Sequence, residues 1–114
     1  MERCSNMNYI CVEWKHDFAD EPVTIYSEID PQGWEKRKIE LFRNGSVGLA
    51  SSSSHFGDSY LSEAPLPSLE EINADPQFLG QKIASAEFSR LWNQFFFQAN
   101  GSMVRLEASA LSPA

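Results

Sequence analysis

The stretch VTIYSEIDPQGWEKRKIELFRNGSVGLA, residues 23–50, decides the fold class, because it holds three segments of alternating apolar and polar residues separated by two turn signals. Alternation with a period of two is typical of strands that bury one face. Asp30-Pro31-Gln32-Gly33 fits a type I turn closed by a left-handed glycine, and Asn44-Gly45 is the strongest two-residue hairpin signal. The stretch therefore predicts three antiparallel strands joined by two tight turns.

The two turns also predict which residues lie opposite one another. A three-residue bulged loop at 31–33 is preferred over a two-residue loop, because it matches apolar residues with apolar residues and acids with bases. It places Ile25 opposite Ile39, Val23 opposite Leu41 and Glu28 opposite Lys36. A two-residue turn at Asn44-Gly45 then places Leu41 opposite Gly48 and Ile39 opposite Ala50. The apolar face of the sheet is therefore expected to carry Val23, Ile25, Ile39, Leu41, Gly48 and Ala50.

The flanking sequence predicts one strand before this stretch and a short helix after it. Residues 8–15 alternate and predict a first strand, whereas residues 51–67, with a serine run and two prolines, predict a long loop. Ser68-Leu69-Glu70-Glu71 is a capping box that opens a short helix, and Asp75-Pro76 ends it. Residues 78–84 are a candidate fifth strand at a sheet edge.

A second helix is predicted from Ser85 to the Asn100-Gly101 stop signal. Its apolar residues recur at helical spacing: Phe88, Leu91, Trp92, Phe95 and Phe96. The complete pattern predicts an α+β fold. Its antiparallel sheet has four strands, or five with residues 78–84, in meander order. A C-terminal amphipathic helix packs on one face, and a short capped helix precedes it.

The length and composition predict a single domain. A chain of 114 residues with a hydrophobic fraction of 42% can bury one core. Residues 7–100 are predicted to form the domain, residues 1–6 a loose extension and residues 101–114 a disordered tail. Residues 1–8 contain no apolar run, so no signal peptide is expected, and no stretch of about 18 apolar residues occurs, which predicts no membrane association. The two cysteines, Cys4 and Cys11, are expected to be reduced thiols in the cytoplasm.

The acidic balance limits the classes of partner. A formal net charge of −7 repels a phosphate backbone, so nucleic acid is not expected as a partner. Two interpretations of the acidic residues stay open: a solvated surface, or a surface that meets a basic protein. In the second case the contacts would come from two acidic segments, with Asp17, Asp20 and Glu21 in one and Glu63, Glu70 and Glu71 in the other. The chain is expected to be a monomer or a homodimer.

The sequence contains few patterns that carry chemistry. Its two histidines, His16 and His55, are not spaced as metal ligands, and no Cys-x-x-Cys pair exists, so no metal or cofactor is expected. Phosphate-loop, dinucleotide and Gly-x-Ser-x-Gly patterns are absent. The pairs Cys11 with His16 and Ser53 with His55 are poorly placed for nucleophilic catalysis. No catalytic residue is assigned, and an enzyme is the less favoured interpretation.

The more informative group is the second face of the predicted sheet, which mixes charged and apolar residues. Cross-strand charge pairing on a solvated sheet explains this face in one interpretation, and a binding surface explains it in the other. Flanking lysines would lower the pKa of a glutamate there, which disfavours general acid–base chemistry. Trp34, beside the Gly33 turn, is a candidate contact residue. The candidate partner- or ligand-binding residues are Trp14, His16, Tyr26, Glu28, Trp34, Lys38 and Glu40.

Four motifs resemble a bacterial family of small, uncharacterised domains. They are Trp14-x-His16, the run PVTIYSEID at 22–30, the run RKIELF at 37–42 and the run PSLEEINADPQF at 67–78. The likeness covers residues 7–93. The resemblance implies a compact bacterial or phage-borne cytoplasmic protein associated with toxin–immunity neighbourhoods.

Two hypotheses follow for the function. The first is a small acidic protein-interaction domain, such as an immunity, antitoxin-like or inhibitor protein that binds a basic partner. The alternative is a small-molecule-binding or enzymatic domain that uses a sheet face formed by Tyr26, Glu28, Lys38 and Glu40. The alternative requires that these four side chains line one partly shielded surface.

Overall fold

The computed structural model describes residues 7–51, 55–56 and 59–99. Within these ranges the chain forms six strands and two helices. In chain order they are β1 (Asn8–Trp14), β2 (Pro22–Ile29), β3 (Glu35–Phe42), β4 (Val47–Ser51), β5 (His55–Phe56), α1 (Leu69–Asn73), β6 (Phe78–Lys82) and α2 (Ser85–Ala99). The predicted extension 1–6, tail 101–114 and Asn100-Gly101 helix stop lie outside the described residues.

The strands form one antiparallel sheet in the order β5-β4-β3-β2-β1-β6. The first five follow one another as a meander, and β6 returns to pair with β1 at the far edge. The α+β prediction is therefore confirmed, including the edge strand predicted at 78–84. The loop predicted at 51–67 contains β5, a strand of two residues paired with β4.

The first turn has the predicted form, but the pairing beyond it differs by one residue. The Asp30 N–H donates to the Trp34 carbonyl at 2.9 Å, and Gly33 has a φ of +94°, as a bulged three-residue loop requires. An irregularity between Glu28 and Ile29 then shifts the register, so that Ile25 lies opposite Glu40 instead of Ile39. A bulge inserts one residue into one strand only, and every later pair moves with it.

The second turn also differs from its prediction. The Phe42 N–H donates to the Ser46 carbonyl at 3.0 Å, so the loop has three residues, 43–45, and not two. Gly45 is its left-handed third residue, with a φ of +93°. Ile39 consequently lies opposite Leu49 and not Ala50. The predicted apolar face was therefore wrong in membership, because a shift of one residue moves a side chain to the other face.

One face of the sheet, named here the α2 face, packs against the C-terminal helix. Its buried core consists of Ile39, Leu49, Phe88 and Leu91. The residues packed around this core are half-buried: Tyr9, Tyr26, Leu41, Val47, Ile83, Trp92 and Phe95. The apolar stripe of α2 thus packs on the sheet as predicted. Beneath it, Ile39 and Leu41 were predicted for this face, whereas Tyr26 was predicted for the opposite face.

The other face, named here the α1 face, is also covered. Ile10, Val12 and Ile29 are buried there against Leu66 and residues of α1 and β6. The expected capping box is present, because the Ser68 hydroxyl accepts from the Glu71 N–H at 3.1 Å and the Glu71 carboxylate accepts from the Ser68 N–H at 3.0 Å. The sheet therefore has a small core on each side.

Helix α1 is held against β6 by one side-chain amide and one glycine. The Asn73 Nδ2 donates to the Gly80 carbonyl at 3.0 Å, and the Asn73 Oδ1 accepts from the Gly80 N–H at 2.6 Å. A Cβ atom on Gly80 would lie 2.8 Å from the Leu69 Cδ2, so a larger residue at this position would require the Leu69 side chain to move. The absence of a side chain at position 80 lets the helix lie directly on the strand.

Candidate functional site

The corrected register divides the residues that were expected to form one surface. Tyr26 and Glu28 lie on the α2 face, beneath the helix, whereas Lys38 and Glu40 lie on the α1 face. The predicted surface formed by Tyr26, Glu28, Lys38 and Glu40 therefore does not exist as one face. Trp34 lies in the turn between β2 and β3, and 42% of its surface is exposed.

On the α2 face, Glu28 is the centre of a charged cluster that joins the sheet to α2. Its carboxylate accepts from Arg37 through two bonds, of 2.7 and 3.0 Å, and from the Tyr9 hydroxyl at 2.9 Å. The Arg37 guanidinium lies 5.0 Å from the ring centroids of both Phe88 and Trp92. The guanidinium therefore links β3 to the helix through cation–π contacts, and it links both to β2 through Glu28.

The environment of Glu28 keeps it ionised. Burial acts to raise its pKa, but the hydrogen bonds from Arg37 and Tyr9, with the positive charges of Arg37 and Lys36, outweigh burial and lower the pKa. A carboxylate that is charged and fully hydrogen-bonded is unsuited to general acid–base chemistry. Glu28 is therefore best explained as a structural residue.

Cys11 and Tyr26 also lie on the α2 face, and neither is activated. Burial raises the pKa of the Cys11 thiol, and this outweighs the hydrogen bond to Tyr26, which lowers the pKa. Burial likewise raises the pKa of Tyr26. A thiol with a raised pKa is a poor nucleophile.

The α1 face contains a cavity of about 330 Å³ between the sheet, α1 and the Leu66-Pro67 segment. This volume is at the lower end of the range for ligand pockets, which is about 300 to 1,000 Å³. Apolar side chains supply most of the wall: Ile10, Val12, Ile25, Leu66, Pro67, Ile72 and Phe78. Its polar lining residues are Ser27, Glu35, Lys38, Glu71 and Asp75.

A set of hydrogen-bonded polar side chains is named here the Lys38 network and consists of Ser27, Glu35, Lys38, Glu40 and Ser59. Its members Ser27, Glu35 and Lys38 form a polar wall of the cavity. The Ser27 hydroxyl donates to Glu35 Oε2 at 2.8 Å, and the Lys38 ammonium lies 3.4 Å from Glu35 and 3.8 Å from Glu40. The Ser59 hydroxyl donates to Glu40 Oε1 at 2.5 Å.

The Lys38 network also holds the segment that follows β5. The Lys38 ammonium donates to the Tyr60 carbonyl at 2.9 Å, and the Ser62 N–H donates to Glu35 Oε1 at 2.8 Å. Ser27 and Glu35 were not among the predicted site residues. Ser27 lies on the same face of β2 as Ile25 and Ile29, and Glu35 is the first residue of β3, so the two could be placed together only with the correct register.

At one end of the sheet, four rings form a stack named here the aromatic ladder: Phe78, Trp14, His16 and Phe18. Successive ring centroids are 5.7, 4.3 and 5.4 Å apart. The ladder brings together Trp14 and His16, both predicted site residues, and adds Phe18, which was not predicted. Phe18 is the outermost ring, and 60% of its surface is exposed.

His16 organises the loop between β1 and β2, residues 15–21, named here the β1–β2 loop. Its Nδ1 accepts from the Phe18 N–H at 2.9 Å, so its Nε2 carries the proton that reaches the Pro22 carbonyl at 2.7 Å. The Arg43 guanidinium donates to the His16 carbonyl. Three hydrogen bonds thus hold the loop, while Asp17, Asp20 and Glu21 remain exposed.

The remaining features concern metals and membranes. Within residues 7–51, 55–56 and 59–99, no three His, Cys, Asp or Glu side chains are grouped in a way that could hold a metal ion. Neither of the two helices in that part of the chain has the length and apolar character needed to cross a bilayer.

Comparison with known proteins identifies the family but no characterised relative. The model of a family described as Domain of unknown function (DUF6881) matches residues 8–97, and the chain belongs to that family. No curated protein and no solved structure matches the chain.

Proposed function

We propose that this chain is a small protein-interaction domain of the immunity, antitoxin or inhibitor kind, which binds a basic protein through its β1–β2 loop. The observation that supports the proposal is Phe18. It is an exposed aromatic side chain, flanked by carboxylates, on a loop whose shape is set by hydrogen bonds within the domain. An exposed ring of this kind is typical of residues that anchor protein interfaces.

The hydrogen bonds that hold the loop favour binding, because a loop already held in one shape loses less conformational entropy when a partner docks. Phe18 stacks on His16 with an interplanar angle of 25°, and His16 in turn packs on Trp14. The backbone on both sides of Phe18 is held through His16. A partner would therefore meet a ring already in position.

The charge around Phe18 specifies the chemistry of the partner. Asp17, Asp20 and Glu21 are exposed within three residues of Phe18, and the chain as a whole carries a formal charge of −7. A basic surface with an apolar pocket is complementary to this arrangement. Electrostatic attraction would mainly raise the association rate, and salt would screen it.

The proposal also includes a cellular location and the stoichiometry of the complex. We propose that the protein is cytoplasmic, and a buried Cys11 thiol that forms no disulfide bond agrees with a reducing compartment. A one-to-one complex is the simplest stoichiometry, because the β1–β2 loop presents one exposed aromatic anchor.

The test uses the product of a neighbouring gene that encodes a basic protein, and measures its binding kinetics at low and high salt. Phe18→Ala should speed dissociation by about tenfold, because the anchor loses its apolar contact. Asp17→Asn/Asp20→Asn should slow association and weaken its salt dependence.

A matched control is Glu13→Gln/Glu87→Gln, which removes the same charge from exposed positions outside the loop. This control should retain wild-type association to within about twofold. The proposal fails if no basic neighbour binds in low salt, or if the control slows association as much as the loop variant does.

A further inference from the structure

We propose that the cavity on the α1 face binds a small amine with an apolar body, as a cation. The proposal concerns a site separate from the β1–β2 loop and does not depend on a protein partner. It rests on three features of the cavity: its size, the hydrogen-bonding capacity of its polar wall, and the charge of its lining.

The size and the walls specify a compact apolar molecule. The cavity of about 330 Å³ is large enough for one small organic molecule and too small for a folded segment of another protein. The β1 and β2 side chains Ile10, Val12 and Ile25 line the cavity on the sheet side together with Phe78 of β6, and Ile72 lines it from α1. Such walls favour an aromatic or branched aliphatic body.

The hydrogen-bonding groups that remain available in the wall are acceptors. Lys38 directs its ammonium to the Tyr60 carbonyl, Glu35 and Glu40, and Ser27 donates its only hydroxyl proton to Glu35. The donors are therefore used within the domain, while the Ser27 oxygen and the carboxylates retain lone pairs. A ligand that donates hydrogen bonds complements this wall, and one that only accepts them does not.

The charge of the lining favours a cation over an anion. Three carboxylates, those of Glu35, Glu71 and Asp75, contribute to the lining, against the single ammonium of Lys38. Lys38 is also already paired with Glu35 and Glu40. An anionic ligand would have to compete with these carboxylates, whereas an ammonium group adds a favourable charge-assisted hydrogen bond.

The test is a titration of the full-length, isotope-labelled chain, followed through its backbone amide NMR signals. Four probes separate the contributions: phenethylamine, 2-phenylethanol, 3-phenylpropionate and ethylamine. Phenethylamine should shift the signals of cavity residues saturably, at least about tenfold more tightly than 3-phenylpropionate. Ethylamine, which lacks the apolar body, should not saturate these signals.

Variants assign the binding to the cavity. Ile25→Phe adds bulk inside the cavity and should lower the affinity for phenethylamine by about tenfold. Leu79→Phe adds bulk at an exposed position on β6 and should change this affinity by less than about twofold. Glu35→Gln retains the shape of the polar wall and removes the negative charge of Glu35. It should weaken the binding of phenethylamine by about fivefold and the binding of 2-phenylethanol by less than about twofold.

Three results would each overturn the proposal. Equal or tighter binding of 3-phenylpropionate would show that the cavity does not select a cation. An equal response to ethylamine, or a phenethylamine response that Ile25→Phe leaves unchanged, would show that amines bind the acidic surface and not the cavity. A retained dispersion of amide signals in Ile25→Phe is the criterion that the variant is folded.

Discussion

At the scale of single residues, the loop that ends in Gly45 decides which side chains of β4 face α2. The dipeptide Asn44-Gly45 is compatible with a two-residue turn and with a three-residue loop that begins at Arg43 and ends in a left-handed glycine. The two choices differ by one residue, and the structure has the longer loop, with Gly45 at a φ of +93°. Sequence reasoning located this turn correctly but chose the two-residue form, which was wrong, because the same dipeptide is also compatible with the longer loop.

A prediction at this scale concerns the amide of Asn73. Asn73→Asp retains the shape and the acceptor for the Gly80 N–H, but it removes the donor to the Gly80 carbonyl. A polar group that loses its partner is costly, so the free energy of unfolding should fall by about 1–2 kcal/mol. Urea denaturation measures this difference.

The matched control is Asn93→Asp, which adds the same charge at an exposed position of α2. It should change the free energy of unfolding by less than about 0.5 kcal/mol. Equal effects of the two substitutions would mean that added charge, and not the bonds to Gly80, is responsible.

At the scale of elements, prediction succeeded where the signals were local. The capping box at Ser68, the stripe of α2 and the edge strand β6 all follow from residues close together in sequence. The Lys38 network could not be predicted in this way. Its bonds to the segment after β5 join residues 19 to 27 positions apart, and no local pattern encodes such contacts.

The network predicts how this segment is held. Lys38→Met removes the donor to the Tyr60 carbonyl and leaves Glu35 and Glu40 without their common cation. Breaking a largely buried charge pair costs about 3 kcal/mol, and the amides of residues 59–62 should lose protection from hydrogen exchange. Thermal unfolding and hydrogen exchange measure the two effects.

Lys36→Met serves as the comparison, because Lys36 lies on the same strand but is exposed. It should leave the protection of residues 59–62 unchanged. If Lys38→Met unfolds no more readily than Lys36→Met, the Lys38 network does not anchor the segment.

At the scale of the whole molecule, the sheet is covered on both faces, although one mixed and partly open face was expected. Charged and apolar residues are mixed along the strands because charged side chains are buried in pairs on both faces of the sheet. Glu28 pairs with Arg37 under α2, and Glu35 pairs with Lys38 under the segment after β5. The β1–β2 loop and the cavity on the α1 face therefore both differ from the predicted face. Of the four residues predicted for that face, Lys38 and Glu40 lie together in the Lys38 network.

The buried charge on the α2 face predicts a dependence of stability on pH. The pKa of Glu28 is lowered from its ordinary value of 4.5, so its contribution to stability is present above pH 4.5 and is lost as the pH falls through its folded-state pKa. The difference in unfolding free energy between the wild type and Glu28→Gln should therefore be greatest at neutral pH and shrink below pH 4.5.

Denaturation at a series of pH values measures this difference, with Glu13→Gln as a control for removing an exposed carboxylate. A difference that stays constant from pH 7 down to pH 3 would contradict the assignment of Glu28 as a stabilising carboxylate.

The contact between Asn73 and Gly80 has a consequence for how the protein behaves in a crowded solution. β6 lies at the end of the sheet, and its outward backbone groups could pair with a strand from another copy. At Gly80 both groups are taken by the Asn73 amide, which occupies the place of a neighbouring strand. Helix α1 therefore blocks the addition of another strand at this position of the sheet edge.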